Sequence, residues 1–164
     1  IDNNIKFKKG RFEYGPGLYL TTHYDTALKY SKGSRKLYLV TVEKGNDLND
    51  SKIDQNTVKK FIESYVITRK RNDVWNRVKE YSQNDQIPGD ILNNVIINED
   101  AIKSTNLTHL REFYINNGID YNLIKNPFGW GELMMVLFNT KKIRNIIRVE
   151  GKDEITQFDL KQND

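Results

Sequence analysis

Residues 15–31 read GPGLYLTTHYDTALKYS, and this stretch sets the order of elements that the fold must accommodate. The glycine-proline-glycine at its start is typical of a turn. Residues 17–21 are rich in aromatic and aliphatic side chains and predict a short strand. Residues 25–30 predict a brief helix with Asp25 or Thr22 near its N-terminal cap. A turn, a strand and a helix are therefore expected in that order.

Hydrophobic periodicity predicts the other elements. Apolar residues alternate with a period of two over residues 36–42, as in a strand, and from about residue 56 they recur at helical spacing. The second of two helices there is expected to have Asp73 as its cap. A later helix is expected to end at Asn117-Gly118 in the manner of a glycine C-cap. Short strands are predicted over residues 119–124, 132–139 and 143–149. Strands, then helices, then strands indicate a mixed α+β domain.

Length and composition narrow the class of protein. The 164 residues suffice for one ordinary domain. With 37% hydrophobic and 29% charged residues, the chain suits a globular protein and argues against wholesale disorder. The absence of cysteine excludes disulfides, thiolate catalysis and cysteine-bound metals. The longest apolar run, residues 133–138, is far shorter than the roughly 20 residues that span a membrane. A net charge of +4 permits an acidic partner without requiring one.

Three segments together resemble the ADP-ribosyltransferase superfamily, on its diphtheria-toxin and poly(ADP-ribose) polymerase side. Residues 15–31 resemble its glycine-rich turn, aromatic strand, Ser or Thr, and helix ending in a second Tyr. Residues 36–45 resemble the next strand, and residues 109–146 resemble a helix, a strand and the strand led by the catalytic glutamate. The resemblance leaves residues 46–106 uncovered. It implies one α+β domain over residues 1–164, with split antiparallel sheets around an NAD cleft and a helical insertion at about residues 50–106.

The resemblance also implies a site. Glu132 would be the catalytic glutamate, which stabilises the positive charge that builds on the ribose as nicotinamide leaves. Tyr19 and Tyr30 would enclose the nicotinamide ring by stacking and cation–π contacts. Gly17 would let the backbone approach NAD, and Thr21, as the family's Ser or Thr, would also bind NAD.

Each of these residues has a structural alternative. Glu132 could be a strand-edge charge facing water, Tyr19 a core aromatic of a sheet, and Tyr30 the last packed residue of a short helix. Trp130, in the loop ahead of the glutamate, would recognise the acceptor by the resemblance, or it could plug the core.

The cationic patch formed by residues 69–71 together with Lys59, Lys60, Arg77 and Lys79 has two interpretations as well. It is expected to be a solvated helix face and interhelical loop, with nucleic-acid binding as the alternative. His23 is interpreted as a turn residue. His109 is interpreted as a helix residue, since no second histidine stands at metal-ligand spacing.

Two departures from the family pattern affect the expected function. The family's first motif, a His-Gly-Thr or an Arg that anchors the adenosine ribose, is not found in this chain, so its strand is expected upstream of Ile1 or the copy is degenerate. The glutamate strand is two residues longer than usual, and this shift keeps Glu132 on the same face as Met134 and Val136.

The expected function is mono-ADP-ribosyl transfer from NAD to a macromolecular acceptor, a protein rather than a nucleic acid. A bacterial or phage toxin or effector acting in the cytoplasm, with an antitoxin or immunity protein as a further partner and no membrane association, fits this expectation. Two alternatives stay open, NAD glycohydrolysis and a catalytically inactive copy of the fold that binds a partner or nucleotide.

Overall fold

A computed structural model of the chain describes residues 13–31, 33, 36–127, 129 and 131–151. They form a mixed α+β architecture with small sheets, as the order of predicted elements indicated. The elements are β1 (Leu18–Thr21), α1 (Tyr24–Tyr30), β2 (Leu37–Val42), β3 (Lys52–Asp54), α2 (Gln55–Tyr65), α3 (Arg71–Lys79), β4 (Gln86–Pro88), α4 (Gly89–Asn98), α5 (Leu107–Asn116), β5 (Tyr121–Lys125), β6 (Leu133–Leu137) and β7 (Ile143–Val149).

The strands form three sheets. One has the order β1-β6-β5, and the other two are the pairs β2-β7 and β3-β4. Both pairs are antiparallel, with Leu37 opposite Val149 in the first and Ile53 opposite Ile87 in the second. A register shift between Thr41 and Val42 interrupts the β2-β7 pairing, as a bulge does at the end of a short ribbon.

Contacts divide the chain into two compact units. The described residues of the first unit are 13–19, 45–123 and 135–140. Those of the second are 20–31, 33, 36–44, 124–127, 129, 131–134 and 141–151. The predicted helical insertion lies entirely within the first unit.

A polar network lies in the buried core of the first unit. The Tyr114 hydroxyl donates to Asn93 Oδ1 at 2.7 Å, and Asn93 Nδ2 donates to the Tyr14 carbonyl at 3.1 Å. The Asn122 amide donates to the same carbonyl at 2.9 Å. Because a buried polar group is costly unless it is hydrogen-bonded, this network fixes the backbone just ahead of the Gly15 turn. The same unit buries apolar side chains of its helices, among them Val58, Phe61, Ile62, Val74, Val78, Leu92, Ile96 and Leu110.

The second unit is built around the β2-β7 pair and helix α1. Leu37 and Val149 are buried where the two strands begin and end, respectively. Helix α1 buries none of its described residues 24–30 fully. The helix therefore contributes no deeply buried apolar face to this unit.

Several predicted boundaries are confirmed. β7 covers the predicted residues 143–149, and α5 ends at the predicted glycine C-cap, where Gly118 has a φ of +75°. The Ile119 amide donates to the Tyr114 carbonyl at 2.9 Å, which satisfies one of the free carbonyls at the helix end. Among the described residues, no helix is long and apolar enough to cross a membrane.

The predicted N-cap of α3 is wrong, whereas Thr22 and Asp25 lie near the N-cap of α1, as predicted, without being the cap residue. Helix α1 has His23 as its N-cap, and no described side chain caps it. Helix α3 begins at Arg71, so Asp73 lies inside its first turn and pairs with Arg77 at 3.3 Å. The side-chain cap occurs instead at α2, where the Asp54 carboxylate accepts from the Thr57 amide at 3.1 Å.

Candidate active site

Glu132 directly precedes β6 in the second unit and is only 2% exposed. One carboxylate oxygen, Oε1, accepts a hydrogen bond from the Thr21 hydroxyl. The alternative of a strand-edge charge facing water is therefore wrong. Met134 and Val136 are buried like Glu132, whereas Leu133 between them is 40% exposed, and this alternation confirms that Glu132, Met134 and Val136 share a face.

Thr21 is the residue that holds the glutamate. Its hydroxyl donates to Glu132 and accepts from the His23 amide at 3.1 Å. The neighbouring Thr22 ties the same two segments together, because its amide donates to the Leu133 carbonyl at 3.0 Å and its hydroxyl accepts from the Leu133 amide at 2.9 Å. Backbone pairing thus sets the distance between Thr21 and Glu132, and the side-chain bond fixes the carboxylate.

Tyr19 lies in the first unit, where its hydroxyl closes the glycine turn. The hydroxyl accepts from the Tyr14 amide at 3.0 Å and donates to the Gly15 carbonyl at 2.8 Å. Burial raises the pKa of the Tyr19 hydroxyl well above its ordinary value of 10.0, so the group is a neutral donor at physiological pH. Its ring is only partly buried.

Gly17, also in the first unit, has a packing reason to be glycine. A Cβ at this position would lie 2.5 Å from the Leu137 carbonyl oxygen and 2.9 Å from Val136 Cγ1. Both distances are shorter than non-bonded atoms allow, so β1 can approach β6 this closely only without a side chain. Packing alone accounts for the glycine, whether or not NAD approaches here.

Tyr30 and Trp130 complete the predicted set. Tyr30, the last residue of α1, is 62% exposed, so the alternative that it is a packed helix end is wrong. Trp130 lies outside the described residues. The glycines on either side of it, Gly129 and Gly131, have φ values of +78° and +71°, which are typical of a tight turn between β5 and β6.

The Asn126 amide donates a hydrogen bond to the Glu132 carbonyl at 2.8 Å and closes this turn.

The structure brings two of the predicted site residues, Thr21 and Glu132, into direct contact. Gly17 and Tyr19 belong to the first unit, and Tyr30 is in the second unit with the contacting pair. The prediction that Tyr19, Tyr30 and Glu132 converge on one cleft stays a prediction. Sequence reasoning assigned Thr21 to NAD and missed its bond to Glu132.

Both histidines occupy the structural positions expected of them. His23 is the cap of α1, with its Nδ1 3.2 Å from the Thr22 hydroxyl. His109 lies on α5, where its ring stacks on Tyr65 with centroids 4.4 Å apart and its Nδ1 is 3.6 Å from Glu112. In the part of the chain that the structure describes, no group of three His, Asp or Glu side chains could hold a metal ion.

The cationic patch is exposed, as predicted, at Lys59, Lys60, Arg69, Arg77 and Lys79. The run at residues 69–71 within it is less solvated than predicted. Lys70 Nζ donates to the Glu99 carbonyl, and Arg71 Nε donates to the Val66 carbonyl at 2.9 Å. Two of its three side chains therefore bind backbone carbonyls, and Arg69 is the one that faces solvent.

Comparison of the chain with protein-family models, with curated proteins and with solved structures finds no match.

Proposed function

We propose that this chain is a mono-ADP-ribosyltransferase that moves ADP-ribose from NAD to a macromolecular acceptor and releases nicotinamide. The observation that carries the proposal is the buried Glu132 carboxylate, held by the Thr21 hydroxyl at the start of β6. A carboxylate is seldom buried at a strand end unless its charge serves a purpose, because desolvating it is costly. The fold that accompanies this proposal is a pair of split antiparallel sheets around an NAD cleft.

The proposed chemistry uses the two carboxylate oxygens differently. Thr21 fixes Oε1, while Oε2 makes no hydrogen bond within the described part of the chain. Oε2 can therefore accept from the 2′-hydroxyl of the NAD ribose. The bond between C1′ and the nicotinamide nitrogen breaks, and its electron pair leaves with nicotinamide. The negative carboxylate then stabilises the positive charge on the ribose.

The acceptor completes the reaction. Its nucleophilic atom forms a bond to C1′ and loses a proton to solvent, so that ADP-ribose ends on the acceptor. Glycohydrolysis is the same reaction with water as the acceptor. In the proposal Tyr19 and Tyr30 stack on the nicotinamide ring. Side chains alternate along a strand, so Tyr19 is expected on the same side of β1 as Thr21.

A second candidate, a non-catalytic copy of the fold, is favoured by a different observation. The Tyr19 hydroxyl closes the Gly15 turn, and Gly17 is required by packing against Leu137. Both residues would therefore be kept in a chain that had lost catalysis and retained only binding.

The test is release of nicotinamide from NAD, measured by chromatography, together with transfer of label from NAD to proteins of a cell extract. Glu132→Gln should slow release by at least about a hundredfold, on the order of 3 kcal/mol, because it removes a charge that acts in the transition state. Glu80→Gln, which makes the same change at an exposed residue, is the matched control and should keep the wild-type rate.

Variants of Thr21 test whether its hydroxyl positions the Glu132 carboxylate. Thr21→Val removes the hydroxyl and should lower the rate roughly tenfold, in the range expected for a hydrogen bond to a charged group, whereas Thr21→Ser should restore it. NAD that binds, by calorimetry, without any release or transfer would support the non-catalytic copy. A Glu132→Gln protein as fast as the wild type would remove the glutamate from the mechanism.

A further inference from the structure

A cavity of about 410 Å³ lies in the first unit, between the end of α2 and the segment that leads into α5. Its polar lining comes from Ser64, Thr68, Arg69, Arg71, Lys103 and Asn106. The volume falls within the range of small-molecule sites, which is roughly 300 to 1,000 Å³. None of these residues belongs to the site around Glu132.

The charged side chains that line the cavity are all cationic. Three cations line it, and none of the described lining residues carries a carboxylate. Among the residues that the structure describes, the side chains of Arg69 and Lys103 have no hydrogen-bond or ion-pair partner. Arg77, which lies outside the cavity, is instead neutralised by an ion pair with Glu99 at 2.7 Å.

Main-chain bonds hold the walls of the cavity in place. Val66 forms a bridge with Ile102, and the Ile67 amide donates to the Ala101 carbonyl at 2.8 Å. Arg71 is oriented by its bond to the Val66 carbonyl at 2.9 Å. A short 3-10 turn, Thr68–Lys70, carries Arg69. The cations therefore lie on a fixed frame, which lowers the entropy cost of ordering them around a ligand.

Hydroxyl and amide groups accompany the cations. Thr68 and Asn106 can donate hydrogen bonds, and the Arg71 guanidinium has further N–H donors besides the Nε group that binds the Val66 carbonyl. Planar guanidinium groups with nearby neutral donors are the combination that binds phosphate oxygens in proteins.

We propose that this cavity is a binding site for a phosphate group, either inorganic phosphate or the phosphate of a monoester. The inference is independent of the proposed transferase activity, because it uses other residues and concerns binding alone. A cationic helix surface without a site would be the competing explanation, and the experiment separates the two.

The test is calorimetric titration of the full chain with inorganic phosphate and, separately, with ribose 5-phosphate. The second probe carries no adenine, so it does not report on NAD binding. Lys103→Glu should weaken binding at least roughly tenfold, because it replaces an attractive charge in the cavity by a repulsive one. Lys79→Glu makes the same charge change eight residues along α3 from Arg71, outside the cavity lining, and should change affinity less than about twofold.

Thermal unfolding of both variants shows whether they remain folded. If Lys103→Glu does not fold, Arg69→Glu provides the same comparison with Lys79→Glu, since Arg69 is exposed. Tighter binding of ribose 5-phosphate would identify a monoester as the ligand, and equal affinities would identify phosphate itself. Equal losses in the Lys103 and Lys79 variants, or no binding of either probe at millimolar concentration, would overturn the proposal.

Discussion

At the residue scale, the decisive feature is a carboxylate where the pattern of a strand alone would predict an exposed charge. Glu132 directly precedes β6, and its burial shows that the residue before the strand already follows the buried face of Met134 and Val136. The alternation could be predicted from the sequence because it depends only on strand geometry. The partner could not, because Thr21 lies 111 residues away in the chain.

The resemblance and the structure give different reasons for the same glycine. By resemblance Gly17 admits a ligand, whereas the structure shows β6 backbone where a Cβ would lie. No sequence pattern distinguishes a glycine needed for NAD from one needed for a close strand crossing. Only the neighbouring atoms do so.

Gly17→Ala should therefore destabilise the fold even without NAD. The added methyl group would meet the Leu137 carbonyl oxygen at 2.5 Å, and overpacking of this kind costs about 1 to 3 kcal/mol. Urea unfolding of the free protein measures the loss. Gly151→Ala is the control, since a Cβ there meets nothing within 4 Å. Equal stability of the two variants would show that packing against β6 does not require glycine at position 17, and approach to NAD would then be the remaining explanation.

At the element scale, segments with a clear hydrophobic period or with turn residues at their ends could be predicted, and the three-residue strands could not. Helix α5 was predicted together with its glycine C-cap, because apolar spacing and Asn117-Gly118 are both local signals. The paired strands β3 and β4 have three residues each, too few to display alternation. Helix α4 begins at Gly89, although the pair Pro88-Gly89 is typical of a break in the chain, and no described side chain caps this helix.

Helix N-caps also could not all be predicted from local sequence, and the contribution of each acidic residue to stability can be measured. Asp54 directly precedes α2, and Asp73 lies in the first turn of α3. Of these two, only Asp54 accepts a hydrogen bond from a backbone amide, that of Thr57. Asp73, the predicted cap, is paired with Arg77, and both side chains are more than half exposed.

Asp54→Ala should lower the free energy of unfolding by about 1 kcal/mol, the usual contribution of an N-cap. Asp73→Ala should lower it by a few tenths of a kcal/mol at most, as expected for an exposed pair at helical spacing. Chemical denaturation of both variants in the same buffer gives the comparison. A larger loss for Asp73 would restore the predicted cap.

At the scale of the whole molecule, the order of elements along the chain does not determine which compact unit each element belongs to. The order of strands, helices and strands identified the mixed α+β class from the sequence. Each compact unit nevertheless draws on several separate segments of the chain. Local signals cannot predict such a division, because it depends on which distant segments pack together.

Stability at high pH depends on the buried tyrosines of the first unit. Burial raises the pKa of Tyr114 and of Tyr19 above the ordinary value of 10.0. In the unfolded chain these hydroxyls lose their protons as the pH passes about 10, whereas in the folded chain they keep them. Above that pH the unfolded state therefore binds fewer protons, so the free energy of unfolding falls as pH rises.

Tyr114→Phe separates this effect from general alkaline damage. The variant loses the bond to Asn93 Oδ1 and should be less stable than the wild type at neutral pH. Its stability should also decline less steeply above pH 10, because one of the protons that distinguishes the folded from the unfolded state is gone. Tyr81→Phe, at a tyrosine that is 53% exposed, should keep the wild-type decline. Thermal unfolding at closely spaced pH values between neutral and strongly alkaline measures both slopes. Identical slopes for the wild type and Tyr114→Phe would show that Tyr114 is not the group whose buried proton stabilises the fold.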